Sequence, residues 1–272
     1  MIFKLRVNPN LIKGFKIARA LIVSQYALML EYRAEIILWA ISGLLPLIML
    51  GLWSDSQAAQ LSGISKQELN RYFLSAFVVR QFTAVWVMVI FEEDLVEGRL
   101  SPFLLQPVKP FWRYLSSHVA EQFSRIPIVI IILAIFFFFN PSSFWLPDPL
   151  DIFLGIIAMV FAFFARFIMH WMFAMICFFS ERASAIERLL LIPYLFLSGL
   201  VAPLEIFPDP IRKFAMLTPF PYLLSYPSNI FAGNSENILL GILGLLFWFT
   251  LFLLVSNFAW KKGIRHYSAM GS

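Results

Sequence analysis

Four carboxylates fall within six residues at Glu92, Glu93, Asp94 and Glu97. A membrane enzyme would need such a cluster joined by histidines at one membrane face. The three histidines, His118, His170 and His266, are widely separated, and no two share a metal-ligand spacing. The sequence has no G-x-x-x-x-G-K-[ST] phosphate loop, no G-x-S-x-G elbow and no H-E-x-x-H. ATP binding in the phosphate-loop manner is therefore excluded, and no constellation argues for catalysis. The acidic run reads instead as the start of a short surface element. Gly98 permits a sharp reversal, Arg99 follows, and Leu100, Leu104 and Leu105 with Phe103 form a small apolar face that Pro107 closes. A plain solvated turn is the bland reading. An apolar face rimmed by charge is the better one, because it fits docking by a soluble partner.

A second group lies inside the hydrophobic runs. Arg80 and Arg166 are charges where insertion costs about 2.5–3.5 kcal/mol each at the helix centre. His170 follows Arg166 by one helical turn, so the two share a face. They read as a polar patch toward a partner helix or a translocation path, or as contacts that only hold the helices together. Arg80 also has the alternative of snorkelling to the outer interface.

The elements that position these residues are membrane helices. The 272 residues are 60% hydrophobic and 14% charged, with mean hydropathy +0.80, whereas soluble domains are nearer half apolar and a quarter charged. An all-α integral membrane protein follows, as one transmembrane domain over 1–272. Six spans are predicted, over about 32–53, 72–91, 119–140, 152–179, 186–201 and 238–260. The second must end near Phe91, because the carboxylates after it cannot stay in hydrocarbon. Pro46 is expected to kink the first and Pro127 to bend the third. The fifth, with Pro193 and Gly199 inside, is short enough to cross only partly, turn and re-enter. Segment 92–118 is the surface region carrying the acidic run, and 202–235 is an outer re-entrant or surface segment. Leu11, Phe15, Ala18 and Ile22 share a face opposite Lys13 and Lys16, which predicts a helix over about 10–31 lying in the interface. No compact apolar core with a cleavage site precedes it, so no signal peptide is expected. The lone Cys177 leaves no intrachain disulfide.

Orientation follows from Lys and Arg in the short loops. With the N-terminus inside, inner segments carry fifteen: Lys4, Arg6, Lys13, Lys16, Arg19, Arg33, Arg99, Lys109, Arg113, Arg125, Arg182, Arg188, Lys261, Lys262 and Arg265. Outer segments carry four: Lys66, Arg71, Arg212 and Lys213. Both termini and the acidic element are thus expected in the cytoplasm. The net charge of +5 meets anionic headgroups rather than nucleic acid.

The chain resembles the membrane subunit of type-2 ABC transporters, the ABC-2 permeases. The resemblance rests on Glu92-x-x-x-x-Glu97-Gly98-x-Leu100-x-x-x-Leu104-Leu105-x-Pro107 after the second span. It rests also on Ser198-Gly199-Leu200-x-x-Pro203-Leu204-x-x-Phe207-Pro208 with Pro219-Phe220-x-Tyr222 after the fifth, and on the closing Gly263-x-x-x-Tyr267-x-x-x-Gly271. It implies a transport subunit with no cofactor of its own, working with two copies of a separate ABC ATPase that binds ATP and Mg. It implies a second permease, identical or homologous, beside it in the inner membrane of a bacterium. On this likeness Glu92, Glu93, Glu97, Gly98, Arg99, Leu100, Leu104, Leu105 and Pro107 form the ATPase-coupling element. Ser198, Gly199, Pro203, Pro208, Pro219 and Tyr222 belong to an outer gate. Arg80, Arg166 and His170 lie outside the family pattern. A lipid-handling membrane enzyme and an ion-coupled secondary transporter are the competing readings; the spans lack the central Asp or Glu that ion coupling uses.

Overall fold

The computed structural model describes residues 9–54, 56, 63–180, 184–234 and 238–267, and side chains from residue 14 onward. Every regular element among them is helical. Helix α1 (Pro9–Glu31) leads into α2 (Arg33–Ser42) and α3 (Leu45–Trp53), then α4 (Lys66–Thr83), α5 (Val87–Val96) and the five-residue α6 (Leu100–Leu104). Next come α7 (Pro110–Phe139), α8 (Pro149–Ala174) with a 3-10 extension over Met175–Phe178, and α9 (Ser184–Leu197). Three short helices, α10 (Asp209–Met216), α11 (Phe220–Leu223) and α12 (Ser225–Phe231), precede the last apolar helix, α13 (Ile238–Gly263).

Among the described residues five helical stretches are long and apolar enough to cross a membrane: Arg33–Trp53, Lys66–Val96, Pro110–Phe139, Pro149–Phe178 and Ile238–Gly263. The fifth expected span is α9, only 14 residues long and interrupted by Pro193. At 1.5 Å per residue it reaches about 21 Å, short of the roughly 30 Å hydrocarbon core. Helix α1 is 23 residues long but is not among the apolar candidates. It packs along α7, and Phe15 stays 72% exposed. The side chains of Leu11 and Lys13 lie outside the described residues, as do Lys4, Arg6, Arg182 and Gly271 altogether.

The second span is the hub. Two thirds of its most apolar window (67%) is buried, against 17% for the windows in α7 and α13. Helix α4 packs against α3, α7, α8 and α12, and α5 against α8 and α9. The helix differs from its sequence reading at both ends. It starts at Lys66 because Ser65 and Glu68 form a reciprocal capping box. It runs through the carboxylates to Val96, since leaving hydrocarbon does not by itself unwind a helix.

Two spans are broken. The first breaks at Gly43–Leu44, just before Pro46, which has no N–H to give to the Ser42 carbonyl and whose ring crowds that carbonyl. At Gly43 any side chain would collide with the Gln81 amide, which donates to the Ala40 carbonyl at 2.8 Å. The second span breaks at Ala84–Trp86, with no Pro or Gly in the sequence there. Broken backbone in a membrane needs partners, and α7 supplies them from one face. His118 Nε2 accepts from the Trp86 N–H at 3.0 Å, Gln122 donates to the Ala84 carbonyl at 3.1 Å, and Arg125 donates to the Gln81 carbonyl at 3.1 Å. Because His118 Nδ1 lies 2.8 Å from the Tyr114 carbonyl, that nitrogen carries the proton. Helix α7 therefore begins at Pro110 rather than near residue 119, continues through Pro127, and holds Arg125 as its sixteenth of 30 residues, 2% exposed. Arg125 thus leaves the loop tally, which then stands at fourteen expected inner Lys and Arg against four expected outer ones.

Candidate functional site

The acidic run occupies the last turn of α5 and the bend beyond it. Gly98 turns the chain with φ 72°, a left-handed conformation that suits glycine. Asp94 organises the bend. One of its oxygens accepts from Arg99 Nε at 2.6 Å and the other from the Tyr114 hydroxyl at 2.7 Å. Arg99 also pairs with Glu97. Buried at 7% exposure, Asp94 ties the bend to the first turns of α7. Arg113 stacks 3.8 Å over the Phe103 ring, and Ser101 shares a 2.9 Å hydrogen bond with Tyr267 near the end of the described chain.

These contacts redistribute the predicted apolar face. Leu100 is fully buried in the main core, Leu104 is half-buried against it, and Phe103 lies under Arg113. What stays exposed along the element is Leu105 at 89% and Val96 at 47%, together with Glu93, Glu97, Pro102 and Pro107. Glu92 is half-buried on the other side of the helix. Beneath the bend sits an aromatic cluster. Phe91 meets Tyr114, Trp171, Phe178 and Trp260 edge to face at 5.3–6.5 Å, and Trp171 stacks on Trp260 at 5.5 Å. Gly263 lets α13 approach this cluster, because any Cβ there would overlap the Phe178 ring.

The outer residues gather at the opposite end of the hub. Gly199 has φ 85°, its carbonyl accepts from the Tyr72 hydroxyl at 2.8 Å, and a Cβ would overlap that hydroxyl. The Ser225 N–H donates to the Ser198 carbonyl at 3.1 Å, and Trp53 Nε1 donates to the Val201 carbonyl at 2.8 Å. Pro203 caps a 3-10 turn over Leu204–Ile206, Pro208 precedes α10 and Pro219 precedes α11. Tyr222 donates to the Met216 carbonyl at 3.0 Å and fits against Gly244, where a Cβ would strike its ring. Tyr226 does the same against Gly241. Burial raises the hydroxyl pKa of both tyrosines, so both stay protonated donors at neutral pH. A cavity of about 1420 Å³ opens among Tyr72, Glu205, Arg212, Tyr222, Asn229 and Trp248.

Arg80, Arg166 and His170 come together at mid-span. Tyr194 on α9 bridges the arginines: its hydroxyl accepts from Arg166 at 2.8 Å and lies within hydrogen-bonding reach of Arg80. The Arg166 guanidinium also stands 4.2 Å over its ring. His170 is 5% exposed.

Matching the chain against known families decides its kinship. The profile of the ABC-2 family transporter proteins covers residues 37–271. The chain belongs to that family. No curated protein matches it. As an ABC-2 family member it is a multi-pass membrane permease, and the family in general works with an ABC ATPase.

Within this ABC-2 permease, sequence reasoning missed Asp94, Tyr114 and Arg125. The spacing Asp94-x-x-x-x-Arg99 was a signal for the bend. His118, Gln122 and Arg125 at helical intervals were a signal for a polar face on α7. Tyr114 carried no signal separate from the other aromatics.

Proposed function

We propose that this chain is the membrane-spanning subunit of an ATP-driven exporter. The bend over Glu92–Pro107 receives the push of a separate ATPase that binds ATP and Mg. Two such permease chains, identical or homologous, stand with two ATPase subunits. The chain sits in a bacterial inner membrane with both termini in the cytoplasm, on the side set by the excess of Lys and Arg. The observation that carries the reading is the bend itself. A small surface element, exposing Leu105, Glu93 and Glu97, is fastened to the bundle by the Asp94–Tyr114 and Ser101–Tyr267 bonds. Such a surface can be gripped, and its rear contacts pass the grip to α7 and α13. Movement there would reach the outer region of Ser198–Tyr222 by way of α7, whose side chains hold the break in the hub helix.

The test is co-purification of an ATPase with the tagged full chain from gently solubilised native membranes. Glu97→Arg combined with Leu105→Arg changes only exposed side chains, so the fold should survive. Loss of the ATPase from the double variant, with thermal stability unchanged, is the expected result. Unchanged co-purification would remove the bend as the docking surface. An absence of any ATPase from the unaltered protein would sink the ATP-driven reading.

A further inference from the structure

Among the described residues, nine buried side-chain polar atoms lack a hydrogen-bond partner, and six of them belong to residues lining one cavity. Native interiors leave few such atoms, so their gathering in one place needs a cause. The cavity measures about 410 Å³, within the range of small-ligand pockets. Three of the six atoms are N–H donors: Arg166 Nε, Arg125 Nε and Trp86 Nε1. A fourth, His170 Nδ1, sits on a side chain that is 95% buried (5% exposed). The other two, Gln81 Oε1 and Glu187 Oε2, are acceptors, so unpartnered N–H donors lead the lining three to two, with His170 Nδ1 able to serve either way.

Charge and depth point the same way. Arg80, Arg125, Arg166 and Arg188 line the cavity, with Glu187 as the one carboxylate among the lining residues. Glu121 pairs with Arg125, and Glu92 lies near enough to Glu187 to act on it. Counting both, four cations face three anions, and the balance stays positive. Arg80 is the fifteenth of 31 residues in its span, Arg125 the sixteenth of 30 and Arg166 the eighteenth of 30. Three guanidiniums near helix centres are costly to insert. Holding the broken backbone accounts for Arg125 alone, since Arg80 and Arg166 share the neutral Tyr194 and Arg166 has the Glu187 carboxyl near it. The cavity rim tells what kind of molecule enters. Trp39 (45% exposed) on α2 and Leu191 (48% exposed) on α9 line it beside exposed Ser42 and Arg188, so its edge between these two helices sets large apolar faces next to polar ones, as an amphiphile does.

We infer that this cavity holds the oxyanion headgroup of a membrane amphiphile, admitted sideways between α2 and α9 while its acyl chains stay in lipid. The paired forks of Arg80 and Arg166 suit the two or three oxygens of a phosphate or carboxylate. That the amphiphile is also the transported cargo rests on the permease reading above; its binding does not.

The experiment uses the purified full chain in phosphatidylcholine nanodiscs, without any ATPase. Dioctanoyl phosphatidic acid is titrated and its complex counted by native mass spectrometry. One saturable site is expected, and dioctanoyl phosphatidylcholine should not compete for it. Arg166→Gln should weaken binding by about tenfold or more, the worth of a charged hydrogen bond. Arg166→Lys should retain more of the binding than Arg166→Gln, and the outer-surface pair Arg212→Gln with Lys213→Gln should change nothing. Unaltered binding in Arg166→Gln, with helical circular dichroism preserved, overturns the site. Competition by inorganic phosphate equal to that of the lipid overturns the amphiphile and leaves a free-anion pocket. Because no ATPase is present, failure here is separable from failure of the co-purification test.

Discussion

Replacing Asp94 by Ala should loosen the bend at Gly98 without unfolding the bundle. The carboxylate is 7% exposed and has two partners of different standing. Tyr114 is 3% exposed, and its hydroxyl would be left without its acceptor, at a cost of about 1–3 kcal/mol. Arg99 is 46% exposed on its side chain, so its lost ion pair counts for only about 0.5 kcal/mol after solvent screening. The opening free energy of the bend should thus fall by about 1.5–3.5 kcal/mol. At 1.4 kcal/mol per factor of ten, amide exchange over residues 97–107 should accelerate by about ten- to three-hundredfold. Hydrogen exchange read by mass spectrometry on the full chain in detergent measures this directly, with α8 and α13 as internal controls. The double variant Asp94→Ala with Tyr114→Phe should be milder than the sum of the singles, because no buried hydroxyl is left stranded. Exchange rates equal to the unaltered protein, or strictly additive effects, would refute the claim that Asp94 fastens the bend.

Two further perturbations probe the hub helix at its break and at its outer end. His118→Ala should cost about 1–3 kcal/mol by stranding the Trp86 N–H, lowering the melting temperature in detergent, and His118→Gln should recover part of the loss by offering another acceptor. Gly199→Ala places an L side chain at positive φ, worth about 1–2 kcal/mol, and pushes a methyl into the Tyr72 hydroxyl. Combining it with Tyr72→Phe should restore part of the melting temperature, and no recovery would mean that the backbone strain alone dominates.

How much of this was legible in the sequence depended on whether a feature was caused locally. The long apolar runs, the exit of the second span into carboxylates and the reversal at Gly98 all come from residue types next to one another. So does the shortness of α9, where Pro193 and Gly199 bracket the end. The break at Ala84–Trp86 does not. Its residues, Ala84, Val85 and Trp86, carry no helix-breaking chemistry, and the break persists because α7 presents three hydrogen-bonding side chains to it. Arg125 was misplaced for the same reason, since a charge beside an apolar run looks like a loop anchor until its carbonyl partner is known. Leu100 and Leu104 were read as part of an outward face because apolar residues at a surface element can turn either way. Only the Phe91 cluster beneath them settles the direction.

The break in the hub has a mechanical meaning. An unbroken helix is a stiff strut that passes an axial load from one end to the other. This one has an elbow at Ala84–Trp86, so a load entering at Glu93–Leu105 cannot run straight to Tyr72 and Gly199. It is shunted sideways into α7 through the grips of His118, Gln122 and Arg125. Those three side chains form a joint whose stiffness sets how far a stroke at one membrane face travels toward the other. The arginine-lined cavity sits at that same joint, bounded by Gln81, Arg125 and Trp86. Whatever occupies the cavity therefore acts as a wedge in the elbow, and its arrival or departure changes the gearing between the two ends.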